Sequence, residues 1–268
     1  MFLNFLRFLV RHLALPVSAA FYRLGNSESG KSCYILGDGP SIKFMDLHCF
    51  GDLPSIATNE IINHVEFDAL NCKYWLMPEP LFHWPRNASF ISIDSSVVKQ
   101  YKKGLHPRSL LNQNVTPVLN ALSYPFTFHS GAYYFYYGKR HFKNLSIAKR
   151  EDAFSGTINS AITIAIYLGF KKIYLLGFDY THEPSKSLHW YEFGQGLTSN
   201  HSGYNVDFFK EALKHIEIVT VTIDSKSETL PFITYQDLTG KIPIYRENFE
   251  ILNKERLSVL KQHISYSA

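Results

Sequence analysis

Residues 33–41, CYILGDGPS, join a short apolar strand to a turn in which two glycines flank an aspartate. An uninterrupted apolar run bounded by turn residues belongs to a strand buried on both faces. Glycine has no Cβ, so the chain can turn sharply and its N–H groups can approach a phosphate or a ribose. The segment therefore predicts the first strand and phosphate-approaching turn of a nucleotide-binding α/β domain. The turn is not a Walker A loop, because no Lys-Ser/Thr follows the second glycine. Nor is it the G-x-G-x-x-G dinucleotide fingerprint, since Ile42 stands three residues beyond Gly39.

A second unit begins at Ser155. SGTINSAITIAIYLGF has the small and β-branched residues of a buried helix that stops at Gly169, and KKIYLLGFDY follows as a buried strand. Helix, glycine stop and strand in that order are half of a βαβ unit. Further strands are expected at LPSIAT (53–58), KYWLM (73–77), FISI (90–93) and 216–223. Helices are expected over 41–49, where Pro40 and Ser41 suit the start, over 206–215 and over 246–263. These elements predict an α/β, Rossmann-like, mainly parallel sheet with helices on both faces, plus a small lid subdomain. Residues 32–268 form the single domain, and 100–150, with the Tyr133–Tyr137 run, are either a lid or acceptor region or a hairpin under the sheet edge.

The first 24 residues stand apart. Phe2, Leu3, Phe5, Leu6, Leu9, Val10 and Leu13 are apolar, while Asn4, Arg7 and Arg11 recur at helical spacing. The pattern suits an amphipathic helix lying in a membrane interface or docked on the domain itself. The apolar run is too short to span a bilayer and meets Pro16. Charge threaded through that run, rather than placed before it, is unlike a signal peptide. A formal charge of +4 without a basic stripe gives no support to nucleic-acid binding. Cys33, Cys49 and Cys72 have neither disulfide-framework nor zinc-site spacing, which fits a reducing cytoplasm.

Gly-Asp-Gly-Pro-Ser-Ile, then Ile56-Ala-Thr-Asn59, then Ser155-Gly156 opening a helix, then Tyr174-Leu-Leu-Gly-Phe-Asp-Tyr180 resemble, in that order, the small bacterial sialyltransferases. Those enzymes move sialic acid from CMP-sialic acid in lipooligosaccharide synthesis, and related surface-glycan proteins share the G-x-G-P-S turn. The resemblance covers about 32–62 and 153–225. It implies that Gly37, Gly39, Pro40 and Ser41 line the nucleotide, with Asp38 where the family has Asn. It further implies that Asn59 contacts the cytidine or phosphate side, and that Ser155 and Gly156 meet the donor sugar or its carboxylate. His201, in Asn200-His201-Ser202, falls where the family has its base. Tyr180, Tyr191 and Tyr204 are the candidates for supporting the departing phosphate. Asp152 stands where the family has an arginine, with Arg150 two residues away, and Pro78-Glu79 replaces an asparagine. These departures leave the donor open between sialic acid and another CMP-activated ulosonic acid such as Kdo.

The residues carry the same chemistry by themselves. Inverting transfer needs a base for the acceptor hydroxyl and charge stabilisation for a leaving phosphate. His182, His189 and His201 cluster in the polar segment that leaves the carboxyl end of a strand, where open α/β sheets place their sites. Aromatics flank His189. Asp179, at the strand end, is either a catalytic carboxylate or a turn cap. No Asp-x-Asp pattern stands ready for a divalent cation, so no metal and no cofactor is expected beyond the CMP-sugar donor. The expected partners are that donor, a glycan or lipid-linked glycan acceptor and the inner face of a membrane, with a homo-oligomer left open. The expected location is cytoplasmic and peripheral on the inner membrane. A nucleotide-dependent phosphotransferase or pyrophosphokinase on the same turn, and a non-catalytic glycan-assembly protein, are the rival readings.

Overall fold

A computed structural model of the chain describes residues 17–79, 114–127, 131–135, 146–150, 152–199, 206–228 and 230–261. Eight strands form one sheet: β1 (Ser32–Leu36), β2 (Pro54–Thr58), β3 (Asn71–Met77), β4 (Thr116–Asn120), β5 (Tyr133–Phe135), β6 (Lys172–Leu176), β9 (Glu217–Thr222) and β10 (Phe232–Thr234). Their order is β10-β9-β6-β1-β2-β3-β4-β5, and every pair is parallel. β7 (Ser185–Ser187) and β8 (Leu197–Ser199) form a separate antiparallel ribbon. Among the described residues the helices are α1 (Tyr124–Thr127), α2 (Gly156–Leu168), α3 (Val206–Ala212), α4 (Tyr235–Thr239), α5 (Asn248–Ile251) and α6 (Lys254–Leu260).

The sheet is covered on both faces, as the apolar runs require. In β1, Cys33 and Ile35 join one buried cluster with Ile158, Ile162 and Phe208, so α2 and α3 cover that face. Tyr34 and Leu36 join the other, with Trp75, Tyr235, Ile251 and Leu257. Alternate residues of one strand thus enter two different cores. α2 ends at Gly169 and hands the chain directly to β6.

Several expected elements differ. The helix expected over 41–49 is two 3₁₀ turns, Pro40–Phe44 and Leu47–Phe50, because Asp46 takes up extended backbone between them and its carboxylate accepts from the His48 N–H. The terminal helix over 246–263 is split into α5 and α6 by an extended Leu252, with Asn253 capping α6. Of the 100–150 stretch, expected to be a lid or a hairpin, the described residues include β4 and β5, which extend the main sheet. FISI (90–93) and residues 1–16 lie outside the described residues. The described end of the N-terminal segment docks on the domain: Phe21 is buried and stacks on Tyr167 at 5.2 Å. No helix among the described residues is long and apolar enough to cross a membrane.

β1 and β6 are adjacent in the sheet but leave in opposite directions along the strand order. β1 continues towards β2, and β6 towards β9. This is the switch point at which open parallel sheets bind ligands beyond their carboxyl ends.

Candidate active site

The register of β1 against β6 builds the centre of the site. Leu36 pairs with Leu176, so Gly37 and Gly177 abut beyond the strand ends. The Gly37 N–H donates to the Leu176 carbonyl at 2.7 Å, and the Gly39 N–H to the Gly177 carbonyl at 2.7 Å. A side chain at Gly39 would strike the Asp179 carboxylate and sit 2.7 Å from the Gly177 carbonyl. Gly177 itself holds φ +70°, with its own Cβ position 2.6 Å from the Gly37 carbonyl. The two turns touch backbone to backbone, and only glycine allows it.

Asp179 locks this contact. Its carboxylate accepts from the Ser41 N–H at 2.9 Å and lies 3.2 Å from His182 Nδ1. His182 Nε2 in turn lies 3.1 Å from the Thr220 hydroxyl. Asp179 is therefore a cap, but for the turn after β1 rather than for the one that follows it in sequence. His182 is buried behind it, away from the cleft.

A cleft of about 540 Å³ opens over the switch point, within the range of ligand pockets, about 300–1,000 Å³. Asp38, Gly39, Asn59, Asp179, Tyr180 and His189, all singled out in the sequence, line it. Gly37, Pro40 and Ser41 lie behind the turn and shape it, without lining the cleft. Ser155 and Gly156 are exposed at the start of α2, and the next residue, Thr157, is the one that reaches the cleft. Tyr191 is buried in the core, where its ring backs His189 at 4.9 Å and 8°. His201 and Tyr204 lie outside the described residues.

Asn59 sits at φ +44° on the exit of β2, held by Trp75 Nε1 donating to its carbonyl at 2.9 Å. Its amide nitrogen donates to the Thr157 hydroxyl at 3.3 Å. Its side-chain oxygen is buried without a hydrogen-bond partner, an acceptor ready for a ligand hydroxyl or amino group. Tyr180 is half-buried, and burial pushes its phenol upward, with the Asp38 and Asp179 charges adding to the shift. It stays protonated at neutral pH as a hydrogen-bond donor.

Asp38 and His189 form the electrostatic core. The Asp38 carbonyl accepts from the Trp190 N–H at 2.9 Å, and its carboxylate from Trp190 Nε1 at 3.3 Å. Although Asp38 keeps some exposure to the cleft, loss of hydration pushes its carboxyl up to about 7. The His189 charge pulls it down, and Glu60 pushes it up. His189 accepts the opposite influence. Burial works against its charge, yet the hydrogen bond with Glu192 and the Asp38 charge outweigh that and raise it. Glu192 Oε2 lies 2.8 Å from His189 Nδ1 and accepts from the His189 N–H at 2.7 Å. The pairing favours the imidazolium, so His189 is better fitted to stabilise negative charge than to take a proton.

The segment carrying His189 is pinned from below. Lys43, fully buried, donates to the Glu192 and Gly194 carbonyls at 2.5 and 2.6 Å and to Glu247 at 2.6 Å. Asn248 donates to the Tyr191 carbonyl at 2.9 Å. These partners come from the first 3₁₀ turn and from α5, some 50 residues downstream of the loop they hold. Sequence reading missed Thr58, Thr157, Lys186 and Leu188 as lining residues. Thr157 was within reach, one residue beyond the Ser-Gly pair; Lys186 carried no signal beyond its place in the polar segment. Asp46, His48 and Glu66 form a group with metal-ligand proximity outside the cleft, where Lys241 and Arg246 already pair with the two carboxylates.

Asp38 also yields a stability prediction. An aspartate whose folded value is raised from about 3.9 to about 7 stabilises the fold fully below the lower value. That contribution is lost as pH rises through the upper one. Asp38→Asn cannot ionise, so its Tm relative to wild type should climb between pH 5 and pH 8. Parallel melting curves across that range check it; a constant difference would show that Asp38 titrates as it does in the unfolded chain.

No protein-family profile matches the chain, and no curated protein sequence matches it. Solved structures similar in fold include the sialyltransferase CstII from Campylobacter jejuni in complex with the substrate analogue cytidine-5′-monophosphate. It is 17% identical over 88% of this chain and 99% of that one, with a TM-score of 0.49. CstII with a trisaccharide acceptor and CMP aligns over 87% and 100%, at 16% identity and a TM-score of 0.47. The MAf glycosyltransferase from Magnetospirillum magneticum AMB-1 aligns over 93% of this chain and 41% of its own, at 11% identity and a TM-score of 0.46.

Proposed function

We infer that the chain is an inverting glycosyltransferase that moves sialic acid or a related ulosonic acid from a CMP-activated donor to a surface-glycan acceptor. The observation that carries the reading is the cleft at the β1/β6 switch point. There the G-D-G-P-S turn, Asn59 and Tyr180 meet a histidine whose pairing with a buried glutamate favours its imidazolium form. Asn59 suits a nucleoside through its unpaired amide oxygen, and the Asp38 carboxyl of the turn faces the same cleft. Tyr180 and His189 supply donors for the charge that gathers on a departing phosphate. His189 therefore takes the leaving-group side in this reading, and His201, which the resemblance implies, takes the proton of the acceptor hydroxyl. A lipid-linked acceptor at the inner membrane face would suit the apolar N-terminus, and no metal is required.

The test is a donor screen with purified protein, CMP-sialic acid and CMP-Kdo, reading released CMP and direct CMP binding. CMP release from one donor, undiminished by chelator, supports the reading. The absence of both CMP binding and donor hydrolysis would remove it, and a strict magnesium requirement with phosphoryl transfer would favour the phosphotransferase alternative.

A further inference from the structure

We propose that Lys186 is the cation that holds the donor's phosphate and stabilises it as it leaves. The assignment rests on the CMP-donor reading above and names the residue that supplies its missing charge.

Lys186 sits on β7 and lines the cleft opposite the glycine turn. Among the described residues lining the cleft it is the only lysine or arginine. Two other cations, Arg150 and Lys43, do not line the cleft and are committed elsewhere. Arg150, the arginine nearest the place where the resemblance expects one, is held bidentate by Asp152, at 2.8 Å from both Nε and Nη2. Lys43 is fully buried and spent on two carbonyls and Glu247. Lys186 differs from both. Its ammonium lies 3.5 Å from the Asp224 carboxylate, whose side chain is 70% exposed. A loose pair with an exposed carboxylate contributes little and gives way to a doubly charged phosphate. Its ammonium lies 5.7 Å from the centre of the Phe44 ring.

The cleft needs such a charge. Asp38 and Asp179 both line it, and Asp179 is buried. A phosphate entering there without a cation would be repelled as pH rises through about 7, where Asp38 ionises. Lys186 and His189, on the same polar segment, offset that repulsion from one wall. In the transfer, the bond between the anomeric carbon and the phosphate oxygen breaks, and its electron pair stays on that oxygen. The anomeric carbon gains a bond to the acceptor oxygen, whose proton passes to the base. CMP departs with one more negative charge than it carried as an ester. Lys186 keeps its proton throughout and compensates that added charge.

The experiment compares wild type, Lys186→Met and Lys186→Arg for binding of CMP and of cytidine, and for CMP release from the donor. Lys186→Met should weaken CMP binding by about 10- to 100-fold and leave cytidine binding unchanged, because only the phosphate is lost as a partner. Its kcat should fall too, but by less than its CMP affinity, since kcat senses only the charge gained between ester and transition state while CMP carries that charge in full. Lys186→Arg should recover part of both. Equal CMP affinity and kcat in wild type and Lys186→Met, with wild type active, would overturn the assignment while the donor reading stands. A wild-type protein that binds no CMP would overturn both.

Discussion

Replacing His189 with alanine should lower the rate of sugar transfer by about 100- to 1,000-fold, the usual loss when one preorganised donor to a developing anion is removed. CMP binding should weaken as well, because CMP carries the phosphate charge that His189 offsets. The substitution removes the imidazolium that Glu192 holds at 2.8 Å and that Tyr191 backs with its ring. The fold should survive, because His189 lies half-exposed at the mouth of the cleft and the Glu192 carboxylate keeps its bond to the backbone N–H of residue 189. The pH profile separates this role from that of a base. The pairing raises His189 above its ordinary value, about 6.5, so its contribution is present at low pH and fades as pH rises through the raised value. The wild-type profile should therefore descend on the alkaline side, and the His189→Ala profile should lack that descent. An unchanged kcat in the variant, or a variant profile that loses its acidic limb instead, would assign His189 a different role.

The largest effect on stability is expected at the buried pair of Glu60 and Arg256. Arg256 Nε donates to Glu60 at 3.0 Å, its Nη2 donates to the other carboxylate oxygen, and both side chains are nearly inaccessible. Arg256→Met would leave a buried carboxylate without its partner, which costs about 3–5 kcal/mol. For a domain of this size that is a fall in Tm on the order of 10 °C. The pair also links α6 to the turn next to Asn59, so nucleotide affinity should fall with it. The double substitution Glu60→Leu/Arg256→Met, which removes both charges, should melt above Arg256→Met. Thermal melts of the two variants decide this, and a double variant less stable than Arg256→Met would mean that packing rather than charge dominates the site.

The strands at 32–36, 54–58 and 172–176 were legible because burial on both faces forces an unbroken apolar run. β4 and β5, at one end of the sheet, were not, because short strands with Pro117 and tyrosines carry little periodicity, and β4 is placed by β3 and β5 by β4. The helix expected over 41–49 failed for a related reason. Its apolar residues suit a helix, but tertiary contacts hold the chain in 3₁₀ turns: Asp179 takes the Ser41 N–H, and Lys43 is drawn to the segment around residue 194. Tyr191 and His189 stand two residues apart in one polar, aromatic stretch. Nothing local says that one faces the core and the other the cleft; Lys43, Glu247 and Asn248 decide it from distant parts of the chain.

By itself the sequence determined the α/β class, the turn after β1 and the polar segment after β6. Each rests on interactions within a few residues: burial of a strand, the missing Cβ of a glycine, the density of histidines. Only the tertiary structure decided that Gly39 meets Gly177, that the Asp179 carboxylate accepts from the Ser41 N–H, and that His189 pairs with Glu192 in the same cleft as Asp38. It also decided that Lys186 is among the residues lining the cleft while Arg150 is taken by Asp152. The contacts of Gly39 with Gly177 and of Asp179 with Ser41 depend on strand register between distant segments, and electrostatic character belongs to the assembled neighbourhood rather than to the residue.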